Sequence, residues 1–162
     1  MPTIIQSMKL DSIDVRILEI LQQDATLQVA EIAERVGLSS TPCWRRIQRL
    51  KEAGVITRQV ALLDPLKVNV GVTVFVSVRT SIHSQAWFDS FKATVQAIPE
   101  VVEFYRMSGD VDYLLRVVVP DIAAYDRVYK RLIAGTQLHD VSSSFAMEEL
   151  KLTTALPLGY VG

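Results

Sequence analysis

Three short amphipathic segments open the chain. Ile13, Ile17, Leu18 and Leu21 share one face at helical spacing, with Asp11 placed to cap the segment and its end near Gln23-Asp24. Val29, Ile32, Ala33 and Val36 form a second stripe, closed at Gly37, where a residue with positive φ is wanted. Ser39, Ser40, Thr41 and Pro42 begin a third: hydroxyls able to cap it, and a proline tolerable only in its first turn. Within it Cys43, Ile47 and Leu50 make an apolar seam, while Arg45, Arg46 and Arg49 point elsewhere. Each apolar face is narrow, so none of the helices would be stable alone, and together they predict a three-helix unit. Two short helices joined by a tight glycine turn, the second showing arginines outward, describe a helix-turn-helix, a DNA-reading element.

The period then changes. Residues 55–63 lean towards β structure, and Asp64-Pro65 marks a boundary. Val72, Val74, Val76 and Val78 alternate with Thr73, Phe75, Ser77 and Arg79, a strand. Phe88, Phe91, Val95 and Ile98 return to helical spacing, stopped by Pro99. Residues 101–107 and 112–119 read as a hairpin around Ser108-Gly109-Asp110-Val111. A helix from Pro120-Asp121 buries Ile122, Tyr125, Tyr129 and Leu132, with Gly135 near its end, and residues 141–150 close as a strand. The order β-α-β-β-α-β is ferredoxin-like. The expected fold class is therefore α+β. A helix-turn-helix domain spans residues 1–63, beginning with a frayed or swapped arm at 1–9. A hinge spans 64–70, and a ferredoxin-like αβ sandwich spans 71–162.

Composition narrows the function. The net charge of −1 over 162 residues excludes a protein basic throughout, but DNA binding depends on local charge. Arg45, Arg46, Arg49, Lys51 and Arg58 face one acid, Glu52, in that stretch, whereas acid is in excess from Asp64 onward. The single cysteine, Cys43, excludes an internal disulfide. No apolar run approaches the ~20 residues of a membrane span, and the first residues lack a signal-peptide layout, so a cytoplasmic setting is expected.

A helix fits the major groove, arginine can bond the guanine edge twice, and polar residues at a helix N-terminus reach phosphates. The candidate DNA-contacting residues are therefore Ser39, Ser40, Thr41, Arg45, Arg46 and Arg49. Arg46 has a rival role, bracing the domain through an acidic neighbour. Trp44 reads as packing, and Cys43 as a small core residue rather than a redox sensor. At the hairpin tip Gly109 permits a tight turn and close approach, turn N–H groups can hold a carboxylate, and Asp110 or Asp112 can take an ammonium. The same residues equally describe a good hairpin turn and nothing more. His83 and His139 have no metal-ligand spacing, and no nucleophile motif, phosphate loop or dinucleotide fingerprint is present, so neither an enzyme nor a cofactor is expected.

Six segments in order resemble the Lrp/AsnC (feast/famine) transcriptional regulators: LDSIDVRILEILQQD, VAEIAERVGLSSTPCWRRIQRLKEAGVI, ALLDP, SGDVDYLL, VPDIAAY and MEELK. The leucine-responsive branch is the nearest in pattern, through its TPC and GD…DYLL signatures. The resemblance implies a regulator that dimerises through its second domain, assembles further towards octamers and binds a free amino acid at contacts between dimers. Carried over by position, it implies effector contacts at Met107, Gly109, Asp110, Asp112 and Ser143. The apolar neighbour Leu114 points to a leucine- or methionine-like effector. Two recognition helices in a two-fold dimer, roughly 34 Å apart, imply an imperfect palindrome as the DNA partner. The alternatives are a DNA-organising protein of the same fold, marked by salt-dominated affinity, and an enzyme resembling the sirohaem decarboxylases, which act on tetrapyrroles.

Overall fold

In the computed structural model residues 8–134 and 138–161 are described; the expected arm at 1–9, save for Met8 and Lys9, and the expectation for Gly135 lie outside them. The chain divides into two compact units, Met1–Ala61 with Lys151–Gly162, and Leu62–Leu150.

The first unit holds α1 (Ser12–Gln23), α2 (Val29–Val36) and α3 (Ser40–Glu52). Asp11 closes a capping box on α1: its carboxylate accepts the N–H groups of Ile13 and Asp14 at 2.9 and 2.8 Å, and Asp14 returns a bond to the Asp11 N–H. Gly37 ends α2 at φ 74, the left-handed cap that its place after Val36 predicts. Ile17, Leu18, Ile32, Ala33, Val36, Cys43, Ile47 and Leu50 form one buried cluster, so the three stripes meet as expected. The side-chain amide of Gln22 grips the backbone of Leu156 twice, accepting from its N–H at 2.6 Å and donating to its carbonyl at 3.1 Å. Leu158, in a short 3-10 turn, packs against the same cluster. The expected span of 71–162 for the second domain thus differs from the observed division in residues 151–162. Within that segment the Leu156 backbone finds its partner on α1.

The acidic cap sets a pH limit. The N–H of Asp14, then the Arg46 guanidinium, hold the Asp11 carboxyl below its ordinary value of 3.8. A depressed folded value means Asp11 stabilises the fold above about pH 3.8, and that contribution disappears as pH falls through the lower folded value. Thermal melts from pH 5 to 2.5 should show wild type above Asp11→Asn at pH 5 and the two converging at the acid end.

The second unit carries β1 (Val72–Arg79), α4 (Gln85–Gln96), β2 (Val101–Arg106), β3 (Tyr113–Val119), α5 (Ile122–Ile133) and β4 (Asp140–Phe145). The sheet order is β2-β3-β1-β4, antiparallel throughout, as the ferredoxin-like reading requires. Val74, Val76 and Val78 on β1 and Leu115, Val117 and Val119 on β3 are buried with Phe91 and Val95 of α4 and Tyr125, Val128 and Leu132 of α5. The other sheet face is open, showing Phe75 and Tyr105 beside an Arg116–Glu103 ion pair at 2.8 Å.

Three local expectations are corrected. Residues 55–63 form no strand, since no other segment among the described residues supplies a ladder partner. β4 stops at Phe145 rather than at 150, because its partner β1 begins at Val72 and the Ala146 N–H bond to the Thr73 carbonyl is the last pairing. Ile122 is 71% exposed, the first residue of α5; Ala124 and Val128 take the inward positions instead.

Candidate nucleic-acid interface and effector hairpin

α3 turns Cys43, Ile47 and Leu50 inward. At 100° per residue the opposite arc carries Thr41, Arg45, Arg49 and Glu52, all exposed, with Gln48 half-buried at its side. Ser39 stands at the N-cap in extended conformation without a side-chain capping bond, contrary to the capping role its hydroxyl suggests. The reason is local. The N3 residue whose N–H such a hydroxyl would accept is Pro42, which has none. The Ser39 hydroxyl and the first-turn N–H groups at Ser40 and Thr41 therefore lie together at an exposed helix start, an arrangement suited to an anion.

The three arginines differ. Arg45 is exposed and makes no ion pair among the described residues. Arg46 is 26% exposed and spends one guanidinium nitrogen on two acids, Asp11 Oδ2 at 2.7 Å and Asp14 Oδ1 at 2.8 Å, which is the bracing role anticipated for it. These bonds, that to Asp11 first, raise its affinity for the proton further. Arg49 is 50% exposed and gives one nitrogen to Asp14 Oδ2 at 2.7 Å, leaving the rest of its fork towards solvent. Trp44 is 51% exposed rather than packed; it walls an open cleft with Val29, Ser40 and Thr41. Cys43 is buried, and burial pushes its thiol above the usual value, which suits a core residue. Gln48 and Asp14 escaped the reading of the sequence. The outward period Thr41, Arg45, Gln48 was a signal for the first; nothing local signalled the second.

At the hairpin the Met107 N–H donates to the Asp112 carbonyl at 2.8 Å, and the Asp112 N–H to the Val78 carbonyl at 3.0 Å. Gly109 lies at φ 107, a conformation L side chains rarely adopt. Met107, Gly109 and Asp110 are exposed around it. Asp112 turns inward, and its Oδ2 accepts the Thr80 N–H at 2.8 Å, so that one oxygen is spent on structure. Ser143 does not join them in this chain. It pairs with Val76 on the far side of β1 from the hairpin, two strand spacings or roughly 10 Å from β3, and its hydroxyl shares a short hydrogen bond with Tyr125. Burial raises the Tyr125 phenol above its ordinary range. Among the described residues no group of His, Cys, Asp and Glu is arranged to hold a metal, and no helix is long and apolar enough to cross a membrane.

Comparison with known proteins matches residues 10–57 to the winged helix-turn-helix DNA-binding family and residues 73–156 to the Lrp/AsnC ligand-binding domain. The glutamate uptake regulatory protein of Zymomonas mobilis is 53% identical over 150 residues, covering 93% of this chain and 92% of its own. The crystal structure of an AsnC family transcriptional regulator from Agrobacterium tumefaciens superposes with a TM-score of 0.90 at 66% identity, over 93% of this chain and 99% of that one. A transcriptional regulator from Neisseria meningitidis in complex with L-methionine gives 0.88 at 37%, over 93% and 97%. With a DNA-reading helix pair, a ferredoxin-like ligand-binding unit and both family models matched in order, the chain belongs to the Lrp/AsnC family of DNA-binding transcriptional regulators.

Proposed function

We propose that the chain regulates transcription in the cytoplasm, not as an enzyme, by reading an imperfect palindrome through α3 of a homodimer. Its grip changes when an amino acid of leucine or methionine type binds the Met107–Asp112 turn. The observation that carries the reading is Arg45, exposed and unpaired among the described residues on the outward arc of α3. Ser39, Ser40 and Thr41 supply phosphate contacts at the helix start, and Arg49 flanks Arg45 with part of its fork free. Arg46, drawn onto Asp11 and Asp14, supports the reading helix more than it reads. The open sheet face with Phe75 and Tyr105 favours pairing of two copies, and further assembly towards an octamer places the effector turn between dimers. Ser143 then belongs to the effector site through a neighbouring copy. The L-methionine held by the Neisseria relative supports a small neutral effector.

The test is Arg45→Ala in the full chain, footprinted on a duplex that the wild type has selected from a random pool. Loss of an arginine on a base edge should weaken binding by about 1–3 kcal/mol and relax the sequence preference at one position in each half-site. Unchanged affinity and an unchanged footprint would remove α3's outward arc as the reading surface.

A further inference from the structure

Asp14 sits at the third position of α1, fully buried, and one carboxylate there meets three donors. Oδ1 accepts from Arg46 at 2.8 Å, while Oδ2 accepts from Arg49 at 2.7 Å and from the Asp11 N–H at 3.2 Å. Asp11, the N-cap of α1, takes a bond from Arg46 at 2.7 Å, so two acids at the start of α1 neutralise two arginines of α3. Neither arginine is fully enclosed, at 26% and 50% exposure, so neither needs these acids to avoid a buried charge. The arrangement lowers the positive field of α3 exactly where phosphate attraction would profit from it.

A protein that needed only to attract DNA would leave both guanidinium groups free. Holding them removes rotamer freedom from two long side chains before DNA arrives, and fixes the direction in which the remaining donors of Arg49 point. We infer that Asp14 is a positioning residue for sequence discrimination: it aims Arg49, and through Arg46 the start of α1, at the cost of non-specific affinity. The inference rests on the proposed reading role of α3 and adds how its selectivity is made.

The opposing signs make it testable. Asp14→Asn keeps the shape and one acceptor but removes the charge, leaving Arg49 free to pair with phosphate while Arg46 stays on Asp11. Full-length Asp14→Asn, compared with wild type on the wild-type-selected duplex and on random duplex, should lose tenfold or more in the ratio of the two affinities. Binding to random DNA should not fall, and log affinity against log salt should steepen by about 1 for the one arginine released, Arg49. A residue that merely stabilises the unit would weaken both bindings together and leave the salt slope alone; that result overturns the inference. As a second arm, Asp14→Asn and Arg49→Gln should be non-additive in the affinity ratio if Asp14 acts through Arg49, and additivity would count against it. If Asp14→Asn melts below the assay temperature, Asp14→Glu takes its place, keeping the charge but displacing the oxygens. An unchanged ratio in that variant, or failure of both to fold, makes Asp14 structural only. A wild-type chain that selects no sequence would instead overturn the reading surface itself.

Discussion

Phe91→Ala should destabilise the ligand-binding unit by about 3–5 kcal/mol, the range for deleting a fully buried aromatic ring. Phe91 is wholly buried and lies at the centre of a ring cluster: 5.2 Å from Trp87, 5.5 Å from Tyr113 and edge-on to Phe104 at 5.6 Å. These contacts join α4 to β2 and β3, so the cavity left by alanine opens between a helix and the sheet it covers. Nothing there can collapse into it cheaply, because Leu115 and Val117 of the same core are already fully buried. A domain holds only about 5–15 kcal/mol in total, and such a loss leaves a unit marginal at 37 °C. Urea unfolding followed by tryptophan fluorescence in a Trp44→Phe background measures it, since Trp87 then reports on the cluster alone. A loss under 1 kcal/mol would mean that the aromatic cluster is not the mechanical centre of this unit.

The second large effect falls on ligand sensing. Among the twenty amino acids, the one the wild type binds should raise its melting temperature, and a Gly109→Ala chain should lose that rise together with at least tenfold in calorimetric affinity. The cause is backbone, not bulk. A Cβ at Gly109 would meet no atom within 4 Å, yet φ 107 lies where an L residue is strained, costing about 1–3 kcal/mol or forcing the turn to reshape. Gly159 offers the matching control, since a Cβ there meets nothing either and no strained φ is involved. Gly159→Ala should therefore leave sensing intact. DNA binding without amino acid should be the same in all three chains, because the altered turn lies outside α3. Normal amino-acid binding by Gly109→Ala would place the effector elsewhere.

What the sequence revealed follows from how far along the chain each signal reaches. The seams of α1, α2 and α3, the alternation of β1 and the cap at Gly37 are local periodicities, and all reappear in the structure. The lean towards β structure at 55–63 produced no strand because β propensity states that a segment wants a partner and not whether its own chain holds one. Ile122 failed because helical spacing was counted from the first residue of α5, where the turn has not yet met the sheet. Asp14 stayed hidden for the same reason on a larger scale. Its partners lie 32 and 35 residues away on α3, and no periodicity links them. Of the DNA candidates, the sequence identified the face correctly as exposed at Thr41, Arg45 and Arg49. It anticipated the bracing of Arg46 but not that Arg49 too is already bonded within the protein. For the hairpin, glycine's φ was legible; the inward turn of Asp112 onto Thr80 was not, since Thr80 belongs to the loop after β1.

The grip of Gln22 on Leu156 alters how the molecule should be thought of as a machine. Because the chain rejoins the first unit after Leu150, with Leu156 held by Gln22 of α1, the second unit is inserted within the sequence of the first. A C-terminal tag or a cut near residue 150, innocuous on a beads-on-a-string protein, would here reach the support of the DNA-reading helices.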